Sequence, residues 1–508
     1  MADWSPALAL LPARLAAHIG LSAAALGLAL LLSVPLVLLM LRYARAAPPV
    51  LGIASLIQTI PALALLALFY PLLLVLRTAS GVDVPVLGFL PALLALTLYA
   101  LLPLLRGAMT GLRGVDPAVV EAADAIGMTR LQKFVRVELP LAAPVMMAGL
   151  RTAAVWTIGA ATLATPIGAT SLGDFIFVGL QTEDWIGVAV GCLGAAGLAL
   201  TVDALLASAE HGLAKRSSAR IVVGLAGLLA LGLAAILMAR PAADGRTIVI
   251  GAKNFSEQYI LAEVIAARLS RAGYRTEIRS GLGSAVAFRA LKAGDIDVYV
   301  DYSGTLATTI LDREDNPALA ELTRDLTART GVGVVGPLGF ENAYVLAMRA
   351  SDAARLGVRD LADLARVAPR LTLGGDIEFQ TRPEWRAVQA AYGVRFGKAR
   401  SYEPTFMYRA LDSGDADVIS AFSSDGRVAA QRLAVLADPK HAIPAYEAVL
   451  LIAPDRRADA RFVAALKPVV GSIDVGRMRT ANLMVDRDAD KRRPAQAAAW
   501  LSPSEGAR

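Results

Sequence analysis

Apolar residues run through the first 240 positions in blocks long enough to cross a hydrocarbon core, and then the blocks stop. Six of them, at 19–41, 50–76, 87–105, 143–166, 186–209 and 221–239, supply the roughly 20 mostly apolar residues that a helical span needs. Charge is distributed unevenly between them. Arg42 and Arg45 follow the first block, Arg106 to Arg136 fall between the third and fourth, and Lys215, Arg216 and Arg220 separate the fifth from the sixth. Lys and Arg collect in short cytoplasmic loops, which puts those three connections on the inner side. The opposite loops hold Arg77 and the acidic Asp174, Glu183 and Asp184. The N-terminus and everything beyond the sixth block are therefore expected outside. The opening MADWSPALALLPARL lacks an early basic cluster, so the first block is expected to direct insertion itself.

From Thr247 the pattern changes to short β-rich runs alternating with helical ones, TIVIGAK, a helix from Ser256, then TEIRS. That alternation predicts parallel α/β sheets. An internal repeat divides the region: FRALKAGDIDVYVDYSGT (288–305) matches YRALDSGDADVISAFSSD (408–425) at an offset of 120. Each copy reads as a helix stopped at Gly294 or Gly414, followed by a buried strand that presents Tyr302-Ser303 or Phe422-Ser423 at its end. Ligands of open α/β sheets bind beyond the carboxyl ends of the strands. Two such ends, one per lobe, predict a cleft.

Composition agrees with a two-part chain. Of 508 residues 56% are hydrophobic and 19% charged, and residues 1–240 hold 14 Lys/Arg and 11 Asp/Glu, leaving 36 and 33 for the rest. The net charge of +6 thus splits as +3 and +3, too little in either half for a nucleic-acid surface. A lone Cys192 excludes an intrachain disulfide and a multi-cysteine metal site. His18, His211 and His441 stand too far apart in sequence to support a metal or a catalytic triad, so neither is expected. Phe396-Gly397-Lys398-Ala399 falls short of a phosphate-binding loop. No cofactor and no enzymatic activity are expected of this chain. Arg151 and Asp203, near the inner ends of their spans, are expected to snorkel to the interface.

Between the third and fourth spans the 106–142 connection contains EAADAIGMTRLQKFVRVELP, from Glu121 to Pro140. Its pattern predicts two short helices parted by a turn at Gly127, the second ended by Pro140. Glu121-Ala122-Ala123, Gly127, Val137, Leu139 and Pro140 resemble the cytoplasmic signature of type I ABC importer permeases, with Val137 in place of Ile. The resemblance implies a coupling helix seated on an ATPase subunit, with Glu121, Ala122, Ala123, Gly127, Leu139 and Pro140 as its determinants. It further implies two ATPase copies carrying ATP and Mg, and a homodimer of the membrane half. The stretch 168–185 looks like that family's outer gate and docking surface, or else an interfacial helix.

GAKNFSEQYIL, GDIDVYVDYSGT, GPLGFENAYVLAMR and FSSDGRVAAQRLAVLADPKHAIPAYEAV resemble the binding components of importers for glycine betaine, choline and carnitine, with fused relatives that import ergothioneine. A quaternary ammonium has no N–H to donate, so aromatic faces and carboxylates must recognise it. The candidate substrate-binding residues are Asn254, Phe255, Glu257, Gln258, Tyr302, Ser303, Thr305, Asn342, Glu378, Phe379, Phe422, Ser423, Asp425 and Tyr446. Core packing competes for Tyr299, and helix capping for Asp425. Trp385 lies in a predicted helix and Trp500 in the tail, against a Trp-walled cage.

The expected whole is an all-α six-span membrane domain of the MetI-like ABC permease type at 1–240, a linker at 241–246, and an α/β two-lobed type II periplasmic binding domain at 247–508. It would sit in the inner (plasma) membrane, in contact with lipid, its C-terminal domain on the periplasmic or extracellular side. A membrane-anchored solute sensor and a ligand-gated channel are the competing classes; neither needs a coupling loop.

Overall fold

The computed structural model describes residues 4–82, 84–182, 184–238, 247–313, 317–487 and 490–502. The proposed linker 241–246 lies outside them. They fall into two compact units, a helical one and an α/β one.

Among the described residues of the helical unit, six helices are long and apolar enough to cross a membrane: Ala7–Arg42, Ala62–Ser80, Phe89–Arg113, Arg130–Ile167, Trp185–Ala214 and Ser218–Met238. The first begins well before the expected 19. The second expected block is broken: a 13-residue helix, Ala47–Thr59, precedes the span Ala62–Ser80, with Ile60 and Pro61 extended between them. Proline offers no N–H and pushes its predecessor out of the helical region. Helices Phe89–Arg113 and Leu139–Ala161 cross where Gly107 meets Gly149, and a Cβ on Gly107 would stand 2.9 Å from the Cα of Gly149. Small residues of this kind let helix backbones touch in a membrane.

Arg151 does not simply snorkel. Its guanidinium forms a two-pronged pair with Asp203 (2.9 and 2.8 Å) and a third bond to Glu210 at 2.8 Å, tying helix Leu139–Ala161 to helix Trp185–Ala214. Charged groups on membrane-spanning helices are stabilised by pairing, and a planar guanidinium can serve two carboxylates at once.

The 106–142 connection folds as two short helices around Gly127, whose φ is +78°. Asp116 caps helix Pro117–Ala125 through the Ala118 N–H at 2.9 Å. Thr129 and Gln132 form a reciprocal capping box at the start of the second helix. Pro140, expected to end that helix because it has no N–H, does not do so. A wide π-turn at Phe134–Glu138 accommodates the proline, and the chain continues as Leu139–Ala161. Ala123 is buried, whereas Glu121, Ala122, Ile126 and Leu131 are exposed.

Among the described residues the α/β unit has ten strands: β1 (Ile248–Lys253), β2 (Thr276–Leu282), β3 (Val298–Tyr302), β4 (Gly333–Glu341), β5 (Tyr344–Arg349), β6 (Thr372–Gly375), β7 (Lys398–Ser401), β8 (Val418–Phe422), β9 (Leu433–Val435) and β10 (Glu447–Ile452). They form two five-stranded sheets, ordered β2-β1-β3-β10-β4 and β7-β6-β8-β5-β9. In each sheet the strand that enters from the other lobe runs antiparallel to the repeat strand: β10 against β3, β5 against β8. The chain therefore crosses twice, out at 341–344 and back at 445–447.

The repeat is structural. Strands β3 and β8 lie at the expected offset, preceded by helices Ser284–Ala293 and Pro404–Ser413 that stop at Gly294 (φ +79°) and Gly414 (φ +83°). Asp297 accepts from the Val249 N–H at 2.7 Å, and its counterpart Asp417 accepts from the Thr372 N–H at 2.8 Å. Each aspartate fastens the repeat strand to its parallel neighbour, β1 or β6.

Candidate ligand cleft and its relatives

The two repeat strands end at one cleft. Tyr302, last in β3, and Phe422, last in β8, both line it, and Phe255 stands between them with ring centroids 6.2 Å from Tyr302 and 6.1 Å from Phe422. The Phe255 and Phe422 planes differ by only 6°. Tyr344 continues the series at 4.8 Å from Phe422, and Tyr446 meets Tyr344 edge-on at 6.0 Å. With Tyr402 this makes six aromatic side chains around a cavity of about 170 Å³. That is smaller than the roughly 300–1,000 Å³ of pockets for drug-sized ligands, so the occupant has few heavy atoms.

The polar lining consists of Asn254, Ser284, Thr305 and Asn342, two cations, Lys253 and Arg382, and two carboxylates, Asp376 and Glu403. Lys253 is bound to buried Asp301 at 2.5 Å and lies 5.4 Å from the Tyr302 ring centre. Arg382 sits over Tyr344 at 5.5 Å and 3.8 Å from Glu384. Buried Glu384 in turn accepts from the Tyr446 hydroxyl, which fixes that ring. Gly304 makes room for it: a Cβ there would stand 2.6 Å from the Tyr446 ring.

Of the residues expected at the site, Asn254, Phe255, Tyr302, Thr305, Asn342, Phe422 and Tyr446 are brought together here. Others are placed elsewhere. Ser303 donates to the Ala445 carbonyl at 3.1 Å and accepts from the Glu447 N–H at 2.9 Å. Its repeat mate Ser423 donates to the Glu341 carbonyl at 3.2 Å and accepts from the Ala343 N–H at 2.9 Å. The paired serines thus each clamp one crossover instead of facing the cleft. Gln258 donates to the Tyr302 hydroxyl at 3.0 Å from a fully buried position. Asp425 is held by Arg427 at 2.8 Å. Phe379 packs behind the wall, 5.0 Å from Tyr344 and 5.4 Å from Trp385. The side chain of Glu378 lies outside the described residues.

Glu257 and Asp425 border not this cavity but a smaller one of about 30 Å³ that shares Phe255, Asn342 and Phe422 with it. The Glu257 carboxylate is buried among four donors, from Tyr302, Asn342, Ser424 and Asn482. Burial lifts its carboxyl above the usual range, a rise that the four hydrogen bonds oppose. Burial likewise pushes the Tyr302 hydroxyl well up, and the adjacent Glu257 charge adds to that. Tyr299, weighed as core, is buried with its hydroxyl on Asp301 at 2.5 Å.

Sequence reasoning missed Lys253, Ser284, Tyr344, Asp376, Arg382, Tyr402 and Glu403. Tyr344 opens β5 opposite Phe422 in register, and Asp376 follows β6. Asp376 could have been found by extending the strand-end rule to β6, whereas Tyr344 opens an antiparallel strand and escapes a rule that counts carboxyl ends.

Residues 246–502 match the family described as the substrate-binding domain of an ABC-type glycine betaine transport system, and residues 25–215 match the binding-protein-dependent transport system inner-membrane component. The ergothioneine transport permease/ergothioneine binding protein EgtU of Helicobacter pylori strain G27 is 30% identical over 79% of this chain and 74% of its own length. The chain belongs to the ABC importer family. It is an inner-membrane, multi-pass importer subunit that joins permease and substrate-binding domain, and neither domain is catalytic. Such an importer works with an ATPase. The choline transport system permease protein OpuBB of Bacillus subtilis is 44% identical over 40% of this chain and 88% of its own. Among solved structures, a glycine betaine/carnitine/choline ABC transporter is 24% identical, covers 50% of this importer chain and 97% of its own, and has a TM-score of 0.44.

Proposed function

We propose that this importer subunit takes up a small trimethylammonium compound bearing a carboxylate, of which glycine betaine and carnitine are the simplest examples. The observation that carries the reading is the balance within one cleft: six aromatic rings together with two cations and two carboxylates. Ring faces attract a quaternary ammonium that cannot donate a hydrogen bond. Arg382, a planar fork of donors, suits the carboxylate end. Choline shares the cation and lacks the partner for Arg382, so it should bind less tightly.

Ergothioneine, itself a trimethylammonium zwitterion, is the second reading, favoured because the Helicobacter pylori relative aligns across both halves of this chain. Two copies of the membrane domain would form the path, and two ATPase subunits, holding ATP and Mg, would seat on the 121–140 loops. No cofactor is assigned to this chain. The exposed Ile126 and Leu131 beside Glu121 support a partner on that loop. A linker at 241–246 would keep the receptor at high effective concentration beside its own channel.

The test is calorimetric titration of the full chain in nanodiscs with glycine betaine, carnitine, choline, ergothioneine and proline, repeated with Arg382→Met. Micromolar binding of a carboxylate-bearing trimethylammonium compound, with Arg382→Met weakening it by about 2–5 kcal/mol and sparing choline, is the expected result. Equal losses for choline and betaine would remove Arg382 from the carboxylate end. No binding across the panel would remove the substrate class.

A further inference from the structure

Glu257 is 3% exposed, and all its acceptor capacity is taken. Oε1 accepts from the Tyr302 hydroxyl at 2.6 Å and from Asn342 Nδ2 at 3.0 Å; Oε2 accepts from Ser424 Oγ at 2.6 Å and from Asn482 Nδ2 at 2.9 Å. A carboxylate has about four lone-pair positions. Nothing is left for a ligand, so the role of Glu257 must follow from where its donors come from.

They come from four places. Tyr302 ends β3 in the first lobe, with its ring in the cleft. Ser424 follows the second lobe's cleft residue, Phe422, by two positions. Asn342 belongs to the outgoing crossover, and Asn482 to helix Val475–Asp486, which packs beside helix Ser256–Arg271 in the first lobe. Asn482 also donates to the Ser424 carbonyl at 3.0 Å, so the second-lobe segment is held at two points. We propose that Glu257 is a positioning residue that sets the gap between the aromatic walls of the two lobes, and through that gap the size of ammonium headgroup the cleft accepts. One carboxylate tethers the Tyr302 wall and the Phe422 wall together. Moving it moves both.

This inference rests on the cleft being a trimethylammonium site. It is tested in the full chain in nanodiscs, with Glu257→Asp, Glu257→Gln and Ser424→Ala, by titration with glycine betaine and with dimethylglycine, which is smaller by one methyl group. Hydrogen exchange of residues 418–430 is followed in parallel. Glu257→Asp keeps the acceptors on a shorter arm and draws the walls together, so the affinity for dimethylglycine relative to betaine should rise about threefold or more. Glu257→Gln and Ser424→Ala should weaken betaine about tenfold and speed exchange at 418–430. A merely structural residue would reduce the bound fraction and leave the ratio of the two affinities alone. Unchanged ratios with unchanged exchange in all folded variants would overturn the proposal. Should Glu257→Gln fail to fold, the other two decide. Should the unaltered chain bind neither compound, the substrate reading falls, and exchange in Ser424→Ala decides the tether alone: faster exchange upholds it, wild-type exchange refutes it.

Discussion

Replacing Phe422 by Leu separates the electrostatic from the packing contribution of the cage. The Phe422 ring lies parallel to Phe255 and 4.8 Å from Tyr344, on a half-buried wall of the cleft. Leucine keeps most of the apolar volume and has no ring quadrupole. For a desolvated cation that quadrupole contributes about 1–2 kcal/mol, hence about 5- to 30-fold in Kd. Phe422→Ala also loses packing. A fully buried Phe costs about 3–5 kcal/mol on truncation, and half-burial scales that to about 2 kcal/mol. That packing loss falls on folding, so the alanine variant should unfold about 2 kcal/mol more easily and bind betaine weaker by at least the roughly 1–2 kcal/mol of the ring. The decisive assay titrates wild type and Phe422→Leu, in nanodiscs, with glycine betaine and with 3,3-dimethylbutanoate, its isostere with a central carbon in place of the charged nitrogen. Phe422→Leu should weaken the first and leave the second within about 0.5 kcal/mol. Equal effects on both ligands would show that the wall acts by shape alone and would refute the cation–π reasoning.

Gly304→Ala drives a Cβ into the Tyr446 ring, and because Glu384 holds the Tyr446 hydroxyl the ring has little room to retreat. Overpacking of this kind costs about 1–3 kcal/mol, to be seen as a loss of both ligand affinity and resistance to urea. Gly127→Val places a β-branched residue at φ +78°, at a cost of about 1–2 kcal/mol. It should abolish ATP-driven uptake in proteoliposomes while ligand titration stays at wild type; normal uptake would disconnect the 121–140 loop from coupling. Asp486, buried and close to Arg427 and Asp425, has its carboxyl raised from 3.8 to about 6, chiefly by burial. The folded state then holds the proton more tightly than the unfolded one, so this group's stabilisation is complete below about pH 4 and is lost as pH rises through 6. Pulse proteolysis in urea should show wild type losing on the order of 2 kcal/mol relative to Asp486→Asn between pH 4 and 7. A constant difference across that range would place the proton elsewhere.

The sequence signals that proved informative were periodic or repeated. Apolar blocks set by the thickness of a bilayer located the spans, failing at Pro61, where a local backbone restriction overrides hydropathy. The 120-residue repeat located both sheets because a helix, a stop at a left-handed glycine and a buried strand leave the same trace wherever they occur. It also put Tyr302 and Phe422 at the cleft, since the end of a strand is a position that sequence can count. What it could not count was hydrogen-bond demand. Ser303 and Ser423 look like ligand groups in a strand-end motif, yet a chain that crosses twice between lobes exposes backbone groups at each crossing, and those serines satisfy them. The same accounting engaged Glu257, Gln258 and Asp425 with protein partners. A polar residue next to a cleft is drawn first to the backbone and to buried partners, and only the surplus is left for a ligand. In this chain Arg382, Asp376 and Glu403, residues outside the repeat, supply further polar lining of the cleft. Part of the cleft's polar lining therefore comes from segments with no repeated sequence signal, which is why counting strand ends could not find it.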